Sequence, residues 1–184
     1  MEDVSKALEG TLRKIDEVEK CYAISFSSIQ RFYETVVSQV PSNGWVHFTS
    51  GGTPWRQPML RDEVMGLAPL MVGSAAVHAI LNLNQVVEYY LWNLCQAVYP
   101  ASLDRTWFCP QMVEVACGVK PSTCSKWASI ERLRAMREIY DNQTDDSSEY
   151  RVSQQTLSEL STDARIFCQD FEWAFRIVHP SAKL

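Results

Sequence analysis

Apolar residues recur every three or four positions through the first forty residues: Val4, Leu8, Leu12, Ile15, Val18, Tyr22, Phe26, Ile29, Tyr33, Val36 and Val40. That spacing draws one continuous apolar stripe along a helix, so a single long amphipathic helix is predicted over 4–40. Pro41, Ser42, Asn43 and Gly44 stop it. Residues 41–58 read as a loop, with Pro41, Gly44, Gly51, Gly52, Pro54 and Pro58 beside Trp45, His47, Phe48 and Trp55. Aromatic side chains in such a loop either tuck it onto the helices or offer faces on which single-stranded RNA bases stack.

The most apolar stretch runs from Ala68 to Val98. Pro69 suits a first helical turn, and Gly73, Ser74, Ala75 and Ala76 are small enough to let another helix approach closely. A central, mostly buried helix over 69–98 is predicted. Glu88 falls between Val87 and Tyr89, within the apolar face. A buried carboxylate needs a partner, so an Arg or Lys is expected beside it. Tyr99-Pro100 breaks the helix. Pro110 to Cys117 reads as a short helix ended by Gly118, and Pro121-Ser122-Thr123 as a cap for a helix over 124–141. Residues 142–150 form a polar, acidic loop. Ser153 or Thr156 then starts a last helix, closed by Pro180, with apolar positions Leu157, Leu160, Ala164, Phe167, Cys168, Phe171, Trp173, Ala174, Phe175 and Val178. No internal repeat and no strand run interrupts these patterns. One all-α domain over 1–184 is expected, an antiparallel helical bundle with long helices at about 4–40, 69–98, 124–141 and 153–178.

Composition narrows the function. Of 184 residues, 46% are hydrophobic and 21% charged, enough for a real core. A net charge of −5 excludes a polybasic nucleic-acid binder but leaves room for a local basic patch. No apolar run of about 18 residues and no signal-peptide core stand out, so the expectation is a cytoplasmic protein with no membrane partner. The Asn142-Gln143-Thr144 sequon then carries no meaning. The six cysteines include no CxxC pair. Cys109, Cys117 and Cys124 cluster, but no spacing matches a zinc site, and neither a metal nor a cofactor is expected. Phosphate-cradling glycine loops, HExxH and GxSxG are absent from the sequence. The three histidines are His47, His78 and His179; His78, in the apolar helix, reads as a core or interface residue.

The segment with most chemical character is 127–142, WASIERLRAMREIYDN, with basic residues at Lys126, Arg132, Arg134 and Arg137. Ile130, Leu133, Met136 and Tyr140 form its apolar stripe. Arg134 and Arg137, three apart, share a face, and Arg137 is expected at a cleft or subunit boundary rather than in bulk solvent.

Together, VVEYYLWNL (86–94), IERLRAMREIYDNQTD (130–145) and TLSELSTDARIFCQDFEWAF (156–175) resemble, in type and order, the HEPN superfamily, in particular its RiboL-PSP/MAE-type branches. The resemblance covers about 68–178. It implies a Glu-bearing helix followed by a helix ending in an RxxxxH motif, with Arg137 and Asn142 at the catalytic positions and Arg134 and Arg137 available to an RNA phosphate. In active members, Arg and His of two subunits are thought to meet across a dimer cleft and to cleave RNA without metal. Here Asn142 stands where the family has His, and an amide does not titrate near neutrality. Glu138 stands where the family often has Asn or another polar residue. The resemblance therefore implies a non-catalytic or weakly active HEPN-like domain, homodimeric or joined to a protein partner, binding RNA or protein in a defence or toxin–antitoxin type system. Any residual ribonuclease activity would need His47 or His78 to replace the missing imidazole in space. The alternative is a helical adaptor or inhibitor that works purely by protein–protein interaction, through the Gly73–Ala76 face or the aromatic loop. Six Trp and seven Tyr give more aromatic area than one small core readily hides, which favours association in either case.

Overall fold

The computed structural model describes residues 6–50, 52–54, 56–99, 110–142 and 153–182; the side chains of Ser50, Tyr140, Asp141 and Asn142 fall outside that description. Helices dominate, as the apolar spacing predicts: α1 (Lys6–Gln39), α2 (Arg61–Gly66), α3 (Ala68–Val98), α4 (Pro110–Cys117), α5 (Trp127–Asn142) and α6 (Gln154–Val178). The segment expected as plain loop carries two small antiparallel ladders. Trp45–Val46 (β1) pairs with Met59–Leu60 (β4), and Thr49–Ser50 (β2) with Thr53–Pro54 (β3). Two-residue strands are too short to show a period-two pattern, which is why they are silent in the sequence.

Local chemistry sets the helix ends. Pro69 stands in the first turn of α3, Gly118 takes the left-handed φ of 67° after α4, and the Ser153 hydroxyl accepts from the Thr156 amide at 3.0 Å to cap α6. Helix α5 begins at Trp127, not at residue 124. Cys124 is extended and Lys126 has a φ of 64°, a left-handed conformation that L side chains disfavour. Carboxylates of α6 hold that turn. Asp163 pairs with the Lys126 ammonium at 2.9 Å and accepts from the Ser129 hydroxyl at 2.6 Å, while Asp170 accepts from the Ser125 amide at 2.5 Å.

The four long helices run up, down, up and down. Lys14 lies over the Tyr89 ring at 4.7 Å and Tyr33 meets Met71 at 3.1 Å, so α1 and α3 are antiparallel. The Ser125–Asp170 and Ser129–Asp163 contacts make α5 and α6 antiparallel in the same way. Arg165 ties α6 to α1 through Asp16, at 2.7 Å, and Glu19. Neighbours are therefore antiparallel. By contrast, α3 and α6 form a diagonal pair running in one direction. Tyr90 touches the Cys168 carbonyl and Glu172, and, further along both helices, Cys117 touches Cys95 and His179.

The core sits where all four meet. Ile15, Ile80, Leu83, Leu94, Leu133, Phe167, Phe171 and Phe175 are fully buried there. Trp173, grouped with that stripe in the sequence, is 60% exposed: two residues past Phe171 a side chain has swung about 200° round the helix. Val178 is exposed as well. A second, smaller cluster of Tyr33, Val36, Val46 and Val64 closes the far tip, where α1 meets α2 and the β1–β4 ladder. Between the two clusters, the second half of α1 and the first third of α3 make a two-helix arm. The burial expected for all of α3 holds from Ala76 to Cys95. Leu70 (62% exposed) and Met71 on the arm are open.

The search for an unbroken apolar run passes over one feature. The stretch Arg61–Val98 includes a segment long and apolar enough to cross a membrane, and only 22% of that segment is buried. No Asp, Glu, Lys or Arg occurs from Val64 to Val87, and scattered uncharged polar residues such as Ser74, Asn82 and Asn84 hide the run from a search for unbroken apolar sequence. The core helix of a soluble protein passes the same measure.

The Asp163 clamp yields a pH prediction. Burial opposes ionisation of its carboxyl, but hydrogen bonds from Ser129 and Lys126, with the Lys126 charge, outweigh it and hold Asp163 below the usual carboxylate range. A depressed native pKa gives stability that is complete above the unfolded value of about 4 and lost as pH falls through the native one. Asp163→Asn lowers the urea midpoint near pH 7, and its deficit against wild type closes below about pH 4, read by circular dichroism.

Candidate functional site

The residues singled out in the sequence meet between α3 and α5. On α5, Ile130, Leu133 and Met136 are buried against the core; Tyr140, the fourth residue of that stripe, has its side chain outside the described residues. With the stripe turned inward, Arg134 and Arg137 come to one flank, half-buried, while Arg132 and Glu138 are exposed. Glu88 sits on α3 one residue after the buried Val87, at the edge of the apolar face. The Arg137 guanidinium donates from Nη1 to Glu88 Oε2 at 2.5 Å, with side chains 40% and 23% exposed. The cation expected beside Glu88 is thus Arg137, the arginine on which the sequence resemblance turns. Arg134 lines a narrow cleft with Glu88, Asn84, Trp127 and Ile130, and the Asn84 Nδ2 is buried there without a hydrogen-bond partner.

The remaining candidates do not join this site. Asn142 ends α5, and its side chain lies outside the described residues. His78 is not a core residue. It is exposed, and its Nδ1 meets the Ser74 carbonyl at 2.8 Å, one turn back on its own helix. Ten residues before Glu88, it stands about 15 Å away along α3. His47, exposed, belongs to the far tip, beside the β1–β4 ladder. His179 Nε2 meets the Cys117 carbonyl at 2.7 Å. No histidine is brought to Arg137. Lys126 is held by Asp163. Of the clustered cysteines, Cys109 lies outside the described residues, and Cys117 meets Cys95 at 3.2 Å. Among the described residues, no three His, Cys, Asp or Glu side chains group as metal ligands. In the 41–58 segment, Phe48 stacks on Phe32 at 6.5 Å under Arg56, Trp45 is exposed, and Trp55 lies outside the described residues.

A different carboxylate is the deeply buried one. Glu172 accepts from the Tyr90 hydroxyl at 2.7 Å and from Arg176 at 2.9 Å. Burial first, then the Glu172 charge, push the Tyr90 phenol far up. The sequence signal was present: an acid inside the aromatic run Phe171–Phe175, with an arginine four residues on.

Chemically, the pair of Glu88 and Arg137 is neutral overall. A guanidinium is a phosphate-binding group, but the Glu88 carboxylate competes for the same charge. Acid–base catalysis needs a group titrating near neutrality, and Arg137 does not supply it. Comparison of the chain with family models, with curated proteins and with solved structures finds no match in any of the three.

The ion pair is measurable by a double-mutant cycle. Glu88→Gln and Arg137→Gln are each expected to destabilise modestly, with a coupling energy of about 1 kcal/mol for a pair this exposed, read from urea unfolding. Additive effects would mean that the pair contributes nothing to folding.

Proposed function

We propose that the protein is a non-catalytic helical module of the HEPN-like kind, acting in the cytosol through association with a second copy or another protein, in a defence or toxin–antitoxin type system. The observation that carries the non-catalytic reading is Arg137, whose guanidinium is engaged by Glu88 with no histidine brought to it. Support for association comes from the arm. A groove runs along each of its sides, an apolar one past Phe26, Tyr33, Val37 and Val72, and a mixed one past Tyr22, Met71, Ala75, His78 and Asn82. The small Gly73–Ala76 run lies between them. A bilayer is a poor cover for this arm. On the arm, α3 is packed by the second half of α1, which carries Arg31 and Glu34 and would take those charges into hydrocarbon. Light scattering at tens of micromolar is expected to report a dimer, or a complex when the natural partner is present. Leu70→Glu, on the open side of the arm, is expected to give a monomer with an unchanged helical spectrum. A wild type that is strictly monomeric under these conditions, with no partner, overturns the association reading.

A second reading keeps RNA as the partner. It rests on Arg134 and Arg137 sharing one flank, with the Arg137 side chain 40% exposed. RNA incubated without metal stays intact in either case, and robust cleavage would overturn the non-catalytic reading. If RNA binds, Arg137→Ala weakens binding and flattens its dependence on salt. Equal affinity and equal slope for both proteins leave the protein partner alone.

A further inference from the structure

Cys95 lies one turn before the end of α3, and Cys117 is the last residue of α4. Their sulfur atoms are 3.2 Å apart, and the residues are 1% and 0% exposed. A disulfide bond is about 2.05 Å long, so bonding requires the sulfurs to close by only about 1.2 Å. Both backbones are already held in place. The Gly118 amide bonds the Glu114 carbonyl at 2.8 Å, and His179, packed on Phe175, meets the Cys117 carbonyl at 2.7 Å. The Tyr99 amide bonds the Cys95 carbonyl at 2.8 Å. Either sulfur can donate to the other across this contact, so loss of one proton leaves a thiolate held by the remaining S–H, and the thiolate is the form that reacts. The other described cysteines differ: Cys124 and Cys168 are buried with thiols pushed up chiefly by burial, and Cys21 is exposed on α1.

We propose that Cys95 and Cys117 are an oxidisable dithiol, which hydrogen peroxide closes into an intramolecular disulfide that fastens α4 to α3. With Cys95 as the thiolate, its sulfur attacks one peroxide oxygen. The O–O bond breaks, and hydroxide leaves and takes up the proton lost from Cys95, giving water and a sulfenic acid at Cys95. The Cys117 sulfur then attacks the Cys95 sulfur. The S–S bond forms, the S–O bond breaks, and the second water departs with the Cys117 proton. Two thiols lose two electrons, and one peroxide becomes two waters. Peroxide is small and uncharged, and α4 spans only eight residues, Pro110–Cys117, so a local opening of that helix admits it. In a reducing compartment the resting form is the dithiol. Closing the bond restricts the unfolded chain over 95–117 and so raises stability.

The test uses the full chain, folded. One equivalent of peroxide is added, excess is quenched, and the protein is alkylated in denaturant and mapped by mass spectrometry. The expected product is a peptide linked through Cys95 and Cys117, with Cys21, Cys109, Cys124 and Cys168 alkylated, a raised urea midpoint, and full reversal by dithiothreitol. In Cys117→Ser, a dimedone adduct at Cys95 replaces the disulfide; if that variant fails to fold, the wild-type map alone decides. Recovery of Cys95 and Cys117 both alkylated after peroxide, or a link from either to Cys109, overturns the proposal.

Discussion

Helix α3 is apolar round most of its circumference between Ala76 and Cys95, and the rest of the fold is arranged to cover it. Ala76, Ala79, Ile80, Leu83, Val87, Tyr90, Leu91 and Leu94 are all buried, and no single neighbour reaches every one of them. Helices α1, α5 and α6 each take a sector, with α4 closing the end near Cys95. Each fully buried Leu or Ile contributes about 1.5–3 kcal/mol through removal from water, so this helix alone organises much of the hydrophobic stabilisation. Cover fails at its first turns. Among the described elements α5 and α6 do not reach there, α1 and the short α2 follow, and the arm with its two grooves results.

Hydrophobic cover is non-directional and does not set which turn faces which. Polar clamps do that here, and α6 carries most of them. Arg165 grips Asp16 and Glu19 on α1, Asp163 and Asp170 hold the start of α5, and Glu172 meets Tyr90 on α3. Exposed pairs of this kind are individually weak, about 0–1 kcal/mol. Their effect is to penalise the wrong register, because a shifted α6 would take Glu172 away from the Tyr90 hydroxyl while it stays buried. Arg137 and Glu88 perform the same task for α5 against α3.

The long helices were legible because their apolar stripes are unbroken, and the Glu88 partner was legible because an acid within an apolar face demands one. What stayed hidden depended on contacts distant in sequence. Helix α5 starts at Trp127 because Asp163 and Asp170, some forty residues on, hold the turn before it. The open first third of α3 looks like core in any linear reading, since exposure depends on how far α5 and α6 extend. Arg137 shows the same limit at the site. Two needs were readable separately, a cation for Glu88 and the arginine on which the sequence resemblance turns, but only the folded chain reveals that one residue meets both.

The Arg165 grip on α1 also has a consequence for synthesis. Asp16 and Glu19 leave the ribosome well over a hundred residues before their partner is made. Until α6 emerges, the α1–α3 hairpin presents to the cell the sector that α6 will occupy, with Tyr90 still without Glu172. Final closure is thus a late, long-range step rather than a local one.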